Sequence, residues 1–308
     1  MVKLMTLIAA SAGIAALTLA PAPAKAVEID APPGSWIEID GARLRYVEEG
    51  EGPPVLLIHG ASSNGEDMRF ALSGHLDGYR AIYIDRPGLG WSERPDGTWT
   101  PQAEARLIAR LIDQLDLGTP IVVGHSWGGA VSTRLAMDHP GQVSGLVLIA
   151  PALMSGVGEA AWYNKAVRIP LLGALFTHIV IPLAGPTQIG SGLESTFAPQ
   201  PVPDGYEAAV RINRLFNPSV IRANAADMAP VNRWLADQDD RYGEIAHPVT
   251  LLAGPGDTVV YTHRHSRPVS DVMPNARLVT DDAWGHMLHH WAPEQVAAAI
   301  ADVAARAE

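Results

Sequence analysis

Short apolar runs of the kind found in buried strands alternate with amphipathic stretches over most of the chain. These strand-like runs are residues 55–58, 81–84, 121–123, 145–150, 249–253 and 276–280. Residues 36–47 instead alternate around the dipeptide Asp40-Gly41, which predicts an antiparallel hairpin. Between Thr100 and Gly118 the apolar positions recur at helical spacing, with Thr100 as the cap. Strands that alternate with helices predict an α/β fold with a mostly parallel sheet covered on both faces.

This alternation stops between Pro151 and His247, where Pro, Gly and aromatic residues are frequent and regularly spaced strand-like runs are missing. An insertion of that length is more often a helical element than a structureless loop. We therefore predict a first core part at residues 27–150, a helical cap at residues 151–247 and a second core part at residues 248–308.

Residues 1–26 have the layout of a secretory signal peptide. Lys3 precedes an uncharged apolar stretch, and small residues stand before an expected cleavage site after Ala26. The alternative is an uncleaved N-terminal anchor, for which the stretch is near the short limit. Either interpretation predicts an exported catalytic part, periplasmic or secreted.

The composition of the chain argues against several classes of binding partner and site. The chain has no cysteine, so it forms neither disulfides nor thiolate metal sites. Its net charge is −11 and becomes −13 when Lys3 and Lys25 leave with the leader. An acidic protein without a basic run is a poor candidate for binding nucleic acid or anionic membranes. We expect no nucleic-acid partner and no stable membrane insertion after leader removal, and the oligomeric state stays open.

The segment Gly124-His125-Ser126-Trp127-Gly128 stands between a β-branched run and a helix-forming series. A G-x-S-x-G pentapeptide in this context is typical of a serine held as a nucleophile on a sharp turn. The alternative is an ordinary strand-to-helix turn in which Ser126 only caps the helix.

A serine hydroxyl needs a base and an acid that orients the base. Asp257 follows the strand at 249–253, and His286 follows the strand at 276–280, so both stand where open α/β sheets place their chemistry. Asp281 and Asp282, which stand only a few residues before His286, are rivals for the acid.

Together these motifs resemble the α/β-hydrolase superfamily, in its cap-bearing group of esterases, carbon–carbon bond hydrolases and epoxide hydrolases. The segments that carry the resemblance are 56–60 (LLIHG), 85–92 (DRPGLGWS), the serine turn and Gly285-His286 with its following helix. The resemblance implies a mostly parallel eight-stranded sheet with helices on both faces and a helical cap inserted after strand six. It also implies a catalytic triad of Ser126, Asp257 and His286.

The resemblance further implies that the backbone N–H groups of Ala61 and Trp127 form the oxyanion hole. Epoxide hydrolases and haloalkane dehalogenases of this superfamily carry Asp at the position of Ser126. A serine alkoxide instead suits attack on a carbonyl, whose tetrahedral intermediate two N–H donors stabilise. We therefore predict hydrolysis of a small to medium, largely apolar carboxylic ester, with Trp127, Trp162 and Phe176 as candidate substrate-binding residues.

The sequence gives no indication of a cofactor or a metal. Gly88-Leu89-Gly90 and Gly254-Pro255-Gly256 do not continue into a dinucleotide or phosphate-binding motif. The histidines near the C-terminus accompany neither an H-E-x-x-H pattern nor a neighbouring carboxylate with ligand spacing. These histidines are His286, His289 and His290.

Other interpretations stay open. A carbon–carbon bond hydrolase or an aminopeptidase shares the chemistry, and Glu159 and Glu194 could hold a free amine. A binding or sensing protein could keep a slow triad. The apolar stretch 171–183 suggests a membrane-surface lipase, although packing on the core is the preferred interpretation. We expect structural roles for His59 and His125. We expect His263 and His265 to lie on a solvated helix face.

Overall fold

The computed structural model describes residues 30–157 and 161–307. The predicted leader lies outside the described residues. One eight-stranded sheet runs through the molecule in the order β1-β2-β4-β3-β5-β6-β7-β8. Its strands are β1 (Ser35–Ile39), β2 (Ala42–Glu49), β3 (Pro54–Ile58), β4 (Arg80–Ile84), β5 (Ile121–His125), β6 (Gly145–Ile149), β7 (Val249–Leu252) and β8 (Ala276–Val279).

The α-helices of the described residues flank the sheet and build the cap. They are α1 (Gly65–Leu72), α2 (Pro101–Gln114), α3 (Trp127–Asp138), α4 (Trp162–Val167), α5 (Leu172–Leu175), α6 (Ile181–Ala184), α7 (Ile189–Phe197), α8 (Tyr206–Ala209), α9 (Pro218–Met228), α10 (Val231–Ala236), α11 (Ser266–Val272) and α12 (Pro293–Ala307). As predicted, the Thr100 side chain caps α2, accepting a hydrogen bond from the Ala103 N–H at 3.1 Å. That helix ends at Gln114, one turn before the predicted Gly118.

The predicted α/β architecture is confirmed. β1 and β2 form the expected hairpin and β2 pairs antiparallel with β4, whereas every pair from β4 through β8 is parallel. Because side chains alternate along a strand, each central strand contributes to two cores. Leu56, Val122 and Leu148 pack in the core on one face of the sheet. Leu57 and Val123 pack in the core on the opposite face.

The regular elements between β6 and β7 are all helices in the part that the structure describes, and turns and loops connect them. This segment packs over the carboxyl ends of the parallel strands through small apolar clusters. Phe197 and Tyr206 of this segment pack with Met287, which follows β8. The cap therefore lies above the edge of the sheet where Ser126, Asp257 and His286 stand.

A buried ion network joins this cap to the core. Arg86 follows β4 and binds Glu104 of α2 with two hydrogen bonds of 2.8 and 2.9 Å. The same guanidinium reaches Asp227 of α9 at 2.7 Å, and Arg94 binds the other oxygen of Asp227 at 2.7 Å. Arg86, Glu104 and Asp227 are almost completely buried. Each of these buried charges is stabilised by its oppositely charged partners. Removal of one partner would therefore leave an uncompensated charge away from water.

The first prediction concerns this network. Asp227→Ala should lower the free energy of unfolding by about 3 to 5 kcal/mol, because it leaves two guanidinium groups short of a carboxylate. Urea denaturation measures the change. Glu48→Ala is the control, since its ion pair with Arg80 is exposed and should contribute less than about 1 kcal/mol. Equal losses in the two variants would contradict the assigned role of the network.

Candidate active site

Ser126 stands at a strained turn between β5 and α3. Its backbone has a positive φ of 51°, which is unfavourable for a residue with a side chain. The motif glycines allow this turn. A Cβ on Gly124 would lie 2.6 Å from the carbonyl oxygen of Gly128, and one on Gly128 would collide with the carbonyl oxygen of Ile58. The turn therefore holds the Ser126 side chain at the carboxyl edge of the sheet.

Asp257 and His286 come together through a single short hydrogen bond. The Nδ1–H of His286 donates to Oδ2 of Asp257 at 2.9 Å. The second carboxylate oxygen accepts from the backbone N–H groups of Val259 and Val260, each at 2.8 Å. Both members of the pair are buried. This arrangement fixes the ring, and in the neutral imidazole the proton on Nδ1 leaves Nε2 as the acceptor that a general base requires.

The rival acids lie elsewhere. Asp281 and Asp282 are exposed, and Asp281 accepts a hydrogen bond from the Ala283 N–H within its own turn at 2.8 Å. Of the three candidate aspartates, Asp257 is the one that the structure places on His286.

A cavity of about 840 Å³ lies between the sheet edge and the cap, and both Ser126 and His286 line it. Ala61 and Trp127 line it as well. A Cβ on Gly60 would lie 3.0 Å from the Cβ of Ser126, so the chain after β3 passes directly beside the serine. The two segments expected to supply oxyanion donors therefore lie next to Ser126.

The candidate substrate-binding residues occupy different positions on the cavity wall. Trp127 is buried, and Phe176 lies on the wall that the cap provides. Trp162 contacts Phe176 edge to face, with ring centroids 5.7 Å apart, but its side chain is 68% exposed. It therefore stands at the rim of the cavity.

Two further histidines support the site from below. His125 hydrogen-bonds through Nε2 to the carbonyl oxygen of His286 at 3.1 Å. His59 donates from Nδ1 to the Gly60 carbonyl at 2.8 Å and accepts the Arg86 N–H at Nε2 at 3.0 Å. Burial lowers the pKa of His59 to about 3, so it stays neutral. These contacts agree with the structural roles expected for both.

Sequence analysis missed a buried carboxylate beside the last two histidines. Asp67 of α1 accepts hydrogen bonds from the Tyr206 hydroxyl at 2.9 Å and from Nε2 of His290 at 3.0 Å. Its other oxygen lies 3.4 Å from Nε2 of His289. Burial raises the pKa of Asp67, but the hydrogen bonds from His289 and His290 outweigh it and hold that pKa well below its ordinary value.

The expectation about carboxylates concerned those nearby in the sequence, and the fold instead brings a distant one to these histidines. The ligand atoms of Asp67, His289 and His290 lie within 4.8 Å of one another, as a metal site would require. Asp67 is 222 residues away from His289 in the chain, so no local motif could reveal it. In the described structure the Nε2 atoms of both histidines lie against Asp67, whereas Nδ1 of His289 is buried without a hydrogen-bond partner.

The expectation of a solvated face for His263 and His265 is correct only for the first. His263 is exposed, but His265 is buried and lines the cavity. Its Nδ1 accepts the backbone N–H groups of Leu153 and Met154 at 3.1 and 3.0 Å. Burial lowers the pKa of His265 to about 4. Backbone partners more than a hundred residues away leave no signal in the sequence.

The second prediction concerns the pH dependence of stability. His265 stays neutral in the folded protein down to about pH 4, whereas the unfolded chain takes up its proton near pH 6.5. Between these values the unfolded state binds more protons, so stability falls as pH falls. His265→Asn keeps an acceptor near the position of Nδ1 and should flatten this dependence by about one proton. Urea denaturation from pH 4 to 7 measures the slope, and the exposed neighbour variant His263→Asn should leave it unchanged.

Comparison with known proteins identifies the family of the chain. A family model described as the alpha/beta hydrolase family matches residues 55–299. The chain belongs to the alpha/beta hydrolase family. The 30 kDa subunit of magnesium chelatase from Rhodobacter capsulatus is 31% identical over 258 residues, which cover 82% of this chain and 87% of that protein.

Other members of the alpha/beta hydrolase family are similar over different lengths. Haloalkane dehalogenase 2 of Mycobacterium tuberculosis is 35% identical over 114 residues, or 37% of this chain, and the match spans 40% of the dehalogenase. Among solved structures, a hydrolase from Pseudomonas aeruginosa superposes with a TM-score of 0.72 at 22% identity, covering 89% of this chain and 99% of that one. The last similarity concerns the fold alone.

Proposed function

We propose that this protein is a serine hydrolase that cleaves a largely apolar carboxylic ester through an acyl-enzyme. One observation carries the proposal: the strained turn at Ser126 and the Asp257–His286 pair meet at the wall of one apolar cavity. This combination provides a nucleophile, a base of fixed tautomer and space for an acyl group.

The steps follow from the positions of these groups. Nε2 of His286 takes the hydroxyl proton as Oγ of Ser126 attacks the ester carbonyl. The N–H groups of Ala61 and Trp127 stabilise the oxyanion of the tetrahedral intermediate. As this intermediate collapses, His286 returns the proton to the departing alcohol. Water, activated by His286, then hydrolyses the acyl-enzyme and releases the acid.

The residue at the turn favours this reaction over dehalogenation. Haloalkane dehalogenases resemble this chain but use a carboxylate at the position of Ser126. A carboxylate displaces halide from a saturated carbon and is then regenerated by hydrolysis of an ester. An ether formed by Ser126 on the same carbon would not be hydrolysed in that way. The partial match to haloalkane dehalogenase 2 therefore supports a shared core, not a shared substrate.

The cavity favours a neutral substrate. None of its lining residues in the described chain is Lys or Arg, and the one acidic residue, Asp67, is already paired. An anionic substrate of a carbon–carbon bond hydrolase would find no cation there. An aminopeptidase would need an available carboxylate, yet Glu194 is exposed and outside the lining, and Glu159 lies outside the described residues. The volume falls in the range of about 300–1,000 Å³ that is usual for drug-sized ligands.

A graded series of p-nitrophenyl esters, from acetate to palmitate, tests the proposal. We expect turnover with a chain-length optimum set by the cavity, and no halide release from 1-chlorohexane or 1-bromohexane. Halide release with no ester hydrolysis would overturn the proposal.

A second candidate is a binding protein with a slow triad, which the similarity to a subunit of magnesium chelatase favours because that name does not denote a hydrolase. The two candidates differ in turnover. An acyl-enzyme that forms in a stoichiometric burst, followed by negligible steady-state release, would support the binding protein.

A further inference from the structure

Residues 162–183 of the cap expose many large apolar side chains to water. The exposed ones are Trp162, Tyr163, Ile169, Leu171, Leu172, Leu175, Ile179, Val180 and Leu183. Leu171 is 90% exposed and Leu183 is 74% exposed. Continuous apolar patches of this kind on a soluble protein mark interaction surfaces. The preferred expectation that residues 171–183 only pack on the core is therefore wrong for their outer face.

The helical run Leu172–Phe197 is apolar on two faces. Its inner face lines the cavity through Phe176, Ile181 and Leu193, among others. Its outer face carries Leu175 and Leu183 into solvent. In the described part of the chain, this 26-residue run is the one helix that could span a membrane by length and composition. Because the inner face of this run lines the cavity and its outer face is in solvent, the run lies along the surface of the cap.

The segment that carries this face differs in charge from the whole chain, although the exposed Glu194 directly follows it. The protein has 33 acidic and 22 basic residues, yet residues 161–193 contain Lys165 and Arg168 and no acidic residue. Arg222 of α9 is exposed and lies beside His178 of the same face, 3.4 Å away. An apolar face bordered by cations is complementary to a bilayer with anionic headgroups. The expectation drawn from net charge describes the whole chain, not this face.

The backbone adds an independent observation. Leu171, the most exposed of these side chains, has a positive φ of 65°. This conformation costs a non-glycine residue free energy, and it presents the leucine to water. The cost of exposing the leucine falls if its side chain enters a lipid phase. A second copy of the chain would instead need a partner surface shaped to receive both the protruding leucines and the cations.

We propose that residues 162–183 form a docking face for an anionic lipid bilayer. In this face the helical run lies in the plane of the interface with Leu171 and Leu183 inserted. Trp162 at the cavity rim lies in the same face, so an apolar ester could pass from the bilayer into the cavity. That last consequence rests on the proposed function, whereas the docking itself does not.

Flotation with vesicles tests the proposal. The chain that begins at Val27, and its variants with the same N-terminus, are mixed with vesicles of phosphatidylcholine alone or with 30% phosphatidylglycerol. We expect binding that is stronger on the anionic vesicles and weakened by salt. Leu171→Ser/Leu183→Ser should lower the partition coefficient by at least about tenfold, since each substitution removes a leucine side chain from lipid. Lys165→Glu/Arg168→Glu should remove the preference for anionic vesicles.

The controls separate docking from catalysis. Val272→Ser replaces an exposed apolar residue far from the cap segment in sequence and should bind like the parent chain. The Leu171→Ser/Leu183→Ser variant should hydrolyse p-nitrophenyl acetate at the parental rate, because neither leucine lines the cavity. Ser126→Ala should float with vesicles unchanged, so docking is measurable even if the proposed hydrolysis fails.

Two results would overturn the docking proposal. One is a parent chain that fails to float, or that floats equally well after Leu171→Ser/Leu183→Ser. The other is a dimer in sedimentation velocity that this variant dissociates, which would assign the face to a second copy of the chain.

Discussion

Ser126→Ala should lower the turnover of p-nitrophenyl esters by about three to six orders of magnitude. The substitution removes the oxygen that would form the acyl-enzyme, and the remaining site could only promote direct attack by water. The fold should persist, because alanine adds no atom to the tight turn between Gly124 and Gly128. Steady-state kinetics across the ester series measures the loss, and the unfolding midpoint verifies the fold.

Ser270→Ala is the matched control for this substitution. Ser270 lies on α11, is assigned no part in the site, and binds the carbonyl of Arg267 at 2.7 Å. Its loss should leave the rate unchanged. Residual turnover within tenfold of the parent in Ser126→Ala would remove Ser126 from the mechanism.

Asp257→Asn should lower turnover by about 10⁴-fold. The structure gives the reason. Because the N–H groups of Val259 and Val260 both bind Oδ1, the asparagine would keep its carbonyl oxygen there and turn its NH₂ group toward His286. Nδ1 would then accept a hydrogen bond, and the proton would move to Nε2. In that tautomer His286 accepts no proton from Ser126.

Asp282→Asn provides the comparison. Asp282 is a carboxylate that stands much closer to His286 in the sequence than Asp257 does, but it is exposed. The kinetic constants should stay at the parental value when it is changed. If Asp282→Asn is the variant that loses activity, then the acid has been assigned to the wrong loop.

Local sequence was enough to predict the sheet and the positions of the site residues. The buried strands show as continuous apolar runs, and the turn at Ser126 needs glycines that stand within two residues of it. Asp257 and His286 could be chosen because each follows a strand whose carboxyl end reaches the same edge. These signals lie within a few residues of the group they identify.

The features that sequence analysis missed depend on distant partners. Asp67 meets His289 and His290 only because α1 packs against the turn after β8. The burial of His265 depends on the backbone after β6. The exposed outer face at 171–183 was equally hidden, since an apolar segment has the same sequence pattern whether it packs on a core or faces a partner. Packing between elements decides all three.

The ion network described at the junction of cap and core also limits how the protein can move. Lifting the whole cap would separate Arg86 and Arg94 from Asp227 and expose charges that lose their partners. Further hydrogen bonds cross the same junction, from the Ser62 N–H to Asn224 and from Arg214 to the Gly90 carbonyl. Such an opening would be a rare excursion, because several buried contacts must break together. Substrate and product should therefore exchange through local motion of α4 and α5 around Trp162. During this motion α9 should stay in place against the core.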